Sequence, residues 1–103
     1  MRKTVTILSL MAAAAAASLA ADAKAGQAVY DKSCKSCHGP NGTPSAGMAK
    51  MMSIKDMKSP EIQALSNDDM KTVVTAGKGK MKPVTSVTGN SVDDVVAYVK
   101  SLK

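Results

Sequence analysis

Apolar residues are arranged in two different ways along this chain. Up to about residue 20 they are nearly continuous; beyond it they recur at helical spacing between polar stretches. Gly26, Val29, Tyr30 and Ser33 fall at i, i+3, i+4 and i+7, so they share one face of a helix predicted over Ala23–Ser33. A short second helix is predicted at "SPEIQAL", where Ser59 can cap and Pro60 suits the first helical position. A third is predicted at "SNDDMKTVVTAG". Ser66 and Asp69 resemble a capping box there, Met70, Val73 and Val74 form the apolar stripe, and Gly77 is the stop. The fourth is predicted at "SVDDVVAYVKSLK", with Ser91 as its cap and Val92, Val95, Val96 and Val99 on one face. Valine leans toward strand, but that preference is weak beside the caps.

The segments between these helices are long. Residues 39–58 carry two prolines, three glycines and four methionines, and residues 78–90 include "KGKMKPV". Two such loops in a small all-α domain point to something for them to wrap. Neither a repeat nor a convincing strand pattern is visible.

The N-terminal run changes the picture of what the mature chain contains. Arg2 and Lys3 precede the apolar stretch from Val5 to Ala17, and small residues follow. That is the layout of a cleavable export signal over residues 1–21, with the boundary between 20 and 23. The run is short for a membrane span, which needs about 20 residues. The junction has no neighbouring cysteine to carry a lipid, so no stable membrane anchor is expected after cleavage. The expected mature domain, residues 22–103, has twelve basic and eight acidic side chains, a balance of +4. That favours an acidic partner. Nucleic acid is disfavoured, because no arginine remains and Tyr30 and Tyr98 are the only aromatic residues. With neither Phe nor Trp, a domain of this size is expected to complete its core with a metal, a disulfide or a cofactor.

The candidate chemistry lies in "SCKSCHGPNG". Cys34, Cys37 and His38 are both cysteines and the single histidine of the chain. A structural zinc needs four nitrogen or sulfur ligands, and these residues supply three. A thiol–disulfide pair suits the C-x-x-C spacing and an exported chain, but such pairs usually accompany a βαβ pattern. The remaining reading is C-x-x-C-H, the attachment motif for c-type haem. Thiols three positions apart can reach the two vinyl groups of one porphyrin. The adjacent histidine then lies under the iron.

With "AGQAVYDKSCKSCH" leading into the motif and "LSNDDMKTVVTAGKGKMKPV" downstream, the chain resembles the class I c-type cytochromes, especially small bacterial c-553 or c6-like members. The resemblance covers essentially the whole mature domain. It implies an all-α cytochrome c fold, with about four helices and long loops around one covalent haem c. It also implies that Gly26 and Tyr30 on the first helix meet Tyr98 on the last. Cys34 and Cys37 would form the thioethers, and His38 and Met81 would be the axial ligands. Met81 is followed by Lys82 before Pro83. Met48, Met51, Met52 and Met57 are not excluded by chain length as the sixth ligand, and adaptable packing against the haem is their plainer role. Met70 reads as core.

Lys32, Lys35, Lys78, Lys80 and Lys82 would ring the haem edge and dock an acidic redox partner. The expectation is therefore a periplasmic, monomeric, single-haem electron carrier rather than an enzyme. The alternatives are a haem-based ligand sensor or weak peroxidase with a labile sixth ligand, and a thiol–disulfide redox protein.

Overall fold

The computed structural model describes residues 21–103. The expected export signal lies almost wholly outside the described residues. Among the described residues six α-helices follow one another: α1 Ala23–Ser33, α2 Lys35–His38, α3 Ala46–Met52, α4 Pro60–Gln63, α5 Asn67–Ala76 and α6 Asn90–Lys100. A 3-10 turn, Pro40–Gly42, separates α2 from α3. Among the described residues there is no strand, only an isolated bridge between Lys78 and Met81. None of the described helices is long and apolar enough to cross a membrane.

Side-chain caps start most of these helices. Asp22 Oδ1 accepts from the backbone N–H of Lys24 at 2.9 Å and of Ala25 at 3.3 Å. Ser59 and Ser66 cap α4 and α5 as the sequence predicts, and Gly77 ends α5 with φ 78°. The prediction for Ser91 is corrected. α6 begins at Asn90 after Gly89, and no side chain caps it. The turn at Thr88 and Gly89 does the work instead. The N–H groups of Ser91 and Val92 donate to the carbonyls of Thr88 (3.2 Å) and Gly89 (3.1 Å), so backbone carbonyls satisfy both. α3 lies in a stretch that the sequence reads as irregular. Ser45 caps it, its Oγ accepting from the Met48 N–H at 3.2 Å.

The core sits where α1 crosses α6, the most extensive pairing in the domain. Gly26 makes the crossing possible, since a Cβ there would lie 1.9 Å from the Asp94 carbonyl oxygen. Tyr30 and Val95 are the most deeply buried side chains, at 0 % and 2 % exposure. The Tyr30 and Tyr98 rings lie 5.0 Å apart at 55°, a tilted aromatic pair. A polar clasp ties α4 to the end of α6. Gln63 Nε2 donates to the carbonyls of Met57 (2.7 Å) and Val99 (2.9 Å). In return Lys100 Nζ donates to the carbonyls of Gln63 and Leu65, which α4 leaves free at its C-terminus. Between α5 and α6, Lys71 pairs with Asp93 at 2.5 Å, an exposed contact that solvent and salt screen.

Candidate functional site

Cys34 ends α1 and begins α2, so the motif hangs directly from the core helix. Its N–H donates to the Tyr30 carbonyl at 2.8 Å. Its own carbonyl accepts from the N–H of Cys37 (3.2 Å) and of His38 (3.0 Å). That winds residues 34–38 into one helical turn, and positions i, i+3 and i+4 of a turn share a face. Cys34, Cys37 and His38 are therefore brought together by backbone bonds alone.

Their surroundings decide their chemistry. All three are half-buried, and both thiols are free. Burial pushes the His38 imidazole below its ordinary pKa, which keeps it in the neutral form that ligates metal. Burial, and secondarily the neighbouring Cys37, pushes the Cys34 thiol up. Thiol-exchange enzymes need the opposite, a cysteine with a depressed pKa. The raised Cys34 thiol is thus unlike the activated cysteine of a thiol-exchange pair. His38 Nδ1 is buried and has no hydrogen-bond partner, so neither Pro40 nor Pro44 lends it a carbonyl.

The loop leaving the motif is tightly specified. Gly39 has φ 78°, and a Cβ on it would lie 2.0 Å from the Thr43 carbonyl oxygen. The Tyr30 hydroxyl donates to the Gly39 carbonyl at 2.6 Å. Sequence reasoning missed this bond. The available signal was the i, i+4 spacing of Tyr30 and Cys34, which puts the ring beside the motif.

Met81 is half-buried on a separate loop with several fastenings. The N–H of Lys78 donates to the Met81 carbonyl at 2.9 Å, and the Met81 N–H donates back at 3.0 Å. The Val84 N–H reaches the Val74 carbonyl on α5 at 2.8 Å. Lys80 Nζ donates to the Met51 carbonyl at 3.0 Å, joining the loop to α3. Gly77 lies so close beneath that a Cβ would meet the Met81 carbonyl oxygen at 2.6 Å. The rival methionines are placed differently. Met70 is core at 6 % exposure, Met51 is 64 % exposed, and Met57 packs against the core. Met48 and Met52 are half-buried on α3.

The five lysines divide between the two pieces. Lys32 and Lys35 flank the cysteine turn; Lys78, Lys80 and Lys82 flank Met81; all five are exposed. A groove of about 320 Å³ lined by Leu65, Asp69, Thr72, Val73, Gly77 and Lys78 includes neither the motif nor Met81, so it is not this site.

The donors fit a c-type haem. Two unpaired sulfurs and a neutral imidazole occupy one turn, and the ring keeps a second nitrogen without a protein partner. Comparison with known proteins agrees. Residues 21–99 match the family model described as cytochrome C oxidase, cbb3-type, subunit III. The fold is similar to the solved KustC0563 c-type cytochrome, with a TM-score of 0.66 and 25% identity. The match covers 76% of this chain and 96% of that one. No curated protein matches the chain. From the cysteine turn to the α1–α6 crossing the parts are those of one family, and the chain belongs to it: a class I c-type cytochrome, from a family that binds haem c covalently and generally carries electrons.

Proposed function

We propose that this protein is a periplasmic, monomeric carrier of one electron, with a single haem c, working between larger redox proteins. The observation that carries the reading is the turn of residues 34–38, which aligns two free thiols and a neutral imidazole. When bound, haem c supplies one iron that gains an electron from a donor and passes it on. The sulfurs of Cys34 and Cys37 would hold the group through two thioether bonds. His38 would give a ring nitrogen to its iron, and Met81 would give a soft, neutral thioether that favours the reduced state. With both side chains engaged the iron would offer no open place for a substrate, which is why we read a carrier rather than an enzyme.

The several fastenings of the Met81 loop favour this carrier over a ligand sensor or weak peroxidase, whose sixth ligand must leave readily. Residues 1–21 support export to the periplasm. The test is to express the full precursor with a haem-maturation system, then record its mass and its oxidised and reduced spectra. We expect the mass of one added haem and low-spin spectra in both states. Colourless protein without that mass would defeat every haem reading. A pigmented ferrous protein that binds carbon monoxide rapidly would defeat the carrier and leave the sensor.

Lys32, Lys35, Lys78, Lys80 and Lys82 form the proposed docking face for an acidic redox partner. Surface charges of this kind steer encounters and are screened by salt, with a Debye length of about 8 Å at physiological ionic strength. Second-order electron transfer to an acidic acceptor is expected to fall about tenfold or more between 0.01 M and 0.15 M salt. A rate that ignores salt would remove the docking face.

A further inference from the structure

We propose that the Tyr30 hydroxyl is a positioning group for His38, acting through the Gly39 carbonyl. The inference rests on the haem reading above and adds to it a residue that the motif does not contain.

The ring of Tyr30 has a plain structural reason to exist: it fills the core against Tyr98. A phenylalanine would meet that need. The hydroxyl is an added polar group at a fully buried position, and such a group is costly unless it finds a partner. Its partner is the Gly39 carbonyl at 2.6 Å, in the residue directly after His38. Burial pushes the hydroxyl pKa up to about 12, so it remains a donor at any working pH.

The two peptide units that follow His38 are both held. The Gly39 N–H donates to the Lys35 carbonyl at 2.8 Å, and the Gly39 carbonyl accepts from Tyr30. The left-handed φ of 78° at Gly39 turns the chain away beneath Thr43, where no Cβ fits. This bracing carries weight because of what His38 lacks. A metal-bound histidine is normally oriented by a hydrogen bond from its other ring nitrogen. Here His38 Nδ1 is buried without a partner, so the imidazole depends on its backbone for direction. Tyr30 ties that backbone to the α1–α6 crossing, the most extensively packed pairing in the domain. The hydroxyl also turns its positive end toward the Gly39 carbonyl. That offsets negative potential beside a centre that gains an electron on reduction.

The test uses the haem-loaded protein. Tyr30→Phe keeps the ring and removes the hydroxyl. Tyr98→Phe removes the other hydroxyl of the same aromatic pair without touching Gly39. We expect Tyr30→Phe to lower the midpoint potential and move the paramagnetically shifted His38 ring resonances, while Tyr98→Phe moves neither. Should Tyr30→Phe fold poorly, 3-fluorotyrosine in the Tyr98→Phe background labels Tyr30 alone. Its stronger donor is expected to raise the potential. Pigmented Tyr30→Phe that melts earlier with an unchanged potential and unmoved resonances would overturn the proposal, as would fluorotyrosine protein with an unaltered potential. Colourless wild-type protein would instead defeat the haem reading on which the proposal stands.

Discussion

Gly26→Ala is expected to lower the midpoint of thermal unfolding by about 15 °C. The added Cβ would lie 1.9 Å from the Asp94 carbonyl oxygen and 2.4 Å from its carbonyl carbon. Both atoms are backbone, so no flexible side chain can swing aside. The helices must separate, and the costs are those of overpacking, about 3 kcal/mol. Alanine's better helix propensity returns only about 1 kcal/mol of that. Separation would also strain the Tyr30–Tyr98 ring pair and the 2.8 Å bond from the Asp22 N–H to Asp94 Oδ1. Gly47→Ala is the matched control, because a Cβ there meets nothing within 4 Å. It is expected to leave the midpoint unchanged or raise it slightly. Circular dichroism melts of the two variants check the contrast; equal midpoints would mean that α1 and α6 do not cross as closely as described.

The two helices of that crossing were legible in local pattern, because Gly26, Tyr30 and the valines of α6 repeat at helical spacing. That they meet at Gly26, Tyr30 and Tyr98 was implied by the resemblance to class I c-type cytochromes, since helical spacing marks a face but not its partner. α3 was hidden for a physical reason. Its flanking prolines and glycines read as breakers, although Ser45 supplied a cap and Met48, Met51 and Met52 sat at i, i+3 and i+4. Val87 was hidden differently. It is core at 3 % exposure but lies in a loop, where no periodicity announces an inward side chain. Ser91 misled because a serine before an acidic, apolar run is a cap by pattern. The Thr88–Gly89 turn had already met the same need with backbone carbonyls. In the site, the cysteine turn could be read directly because its residues are consecutive. The Lys80–Met51 and Gln63–Val99 bonds could not, since each depends on the folded chain bringing a distant carbonyl to a side chain.

Those long-range bonds bear on how Met81 is presented. Three of its fastenings are made by backbone groups at Lys78, Met81 and Val84, and the fourth is Lys80 to Met51. None uses the Met81 side chain. The loop is thus shaped independently of the thioether it offers, and the ligand is removable without collapsing its support.

Met81→Leu should therefore change the metal's chemistry and leave the fold in place. Methionine and leucine have similar volumes, and exchanges of this kind usually cost less than about 1.5 kcal/mol. Leucine has no lone pair to offer iron. We expect the haem-loaded variant to melt near the wild-type midpoint, to lose the low-spin thioether signature and to bind carbon monoxide readily when reduced. Its midpoint potential should fall, because the soft ligand that favours ferrous iron is gone. Met48→Leu, Met52→Leu and Met57→Leu are the comparisons, and each is expected to keep the wild-type spectrum. Met57 in particular packs against the core and lies beside Gly42, so leucine there preserves what the side chain does. If Met52→Leu opened the iron to carbon monoxide and Met81→Leu did not, the sixth ligand would belong to α3. The fastened loop at Lys78–Val84 would then need another purpose. A wild-type spectrum in all four variants would take the sixth position away from all four of these methionines, and the electron-carrier reading would lose Met81 as its second ligand.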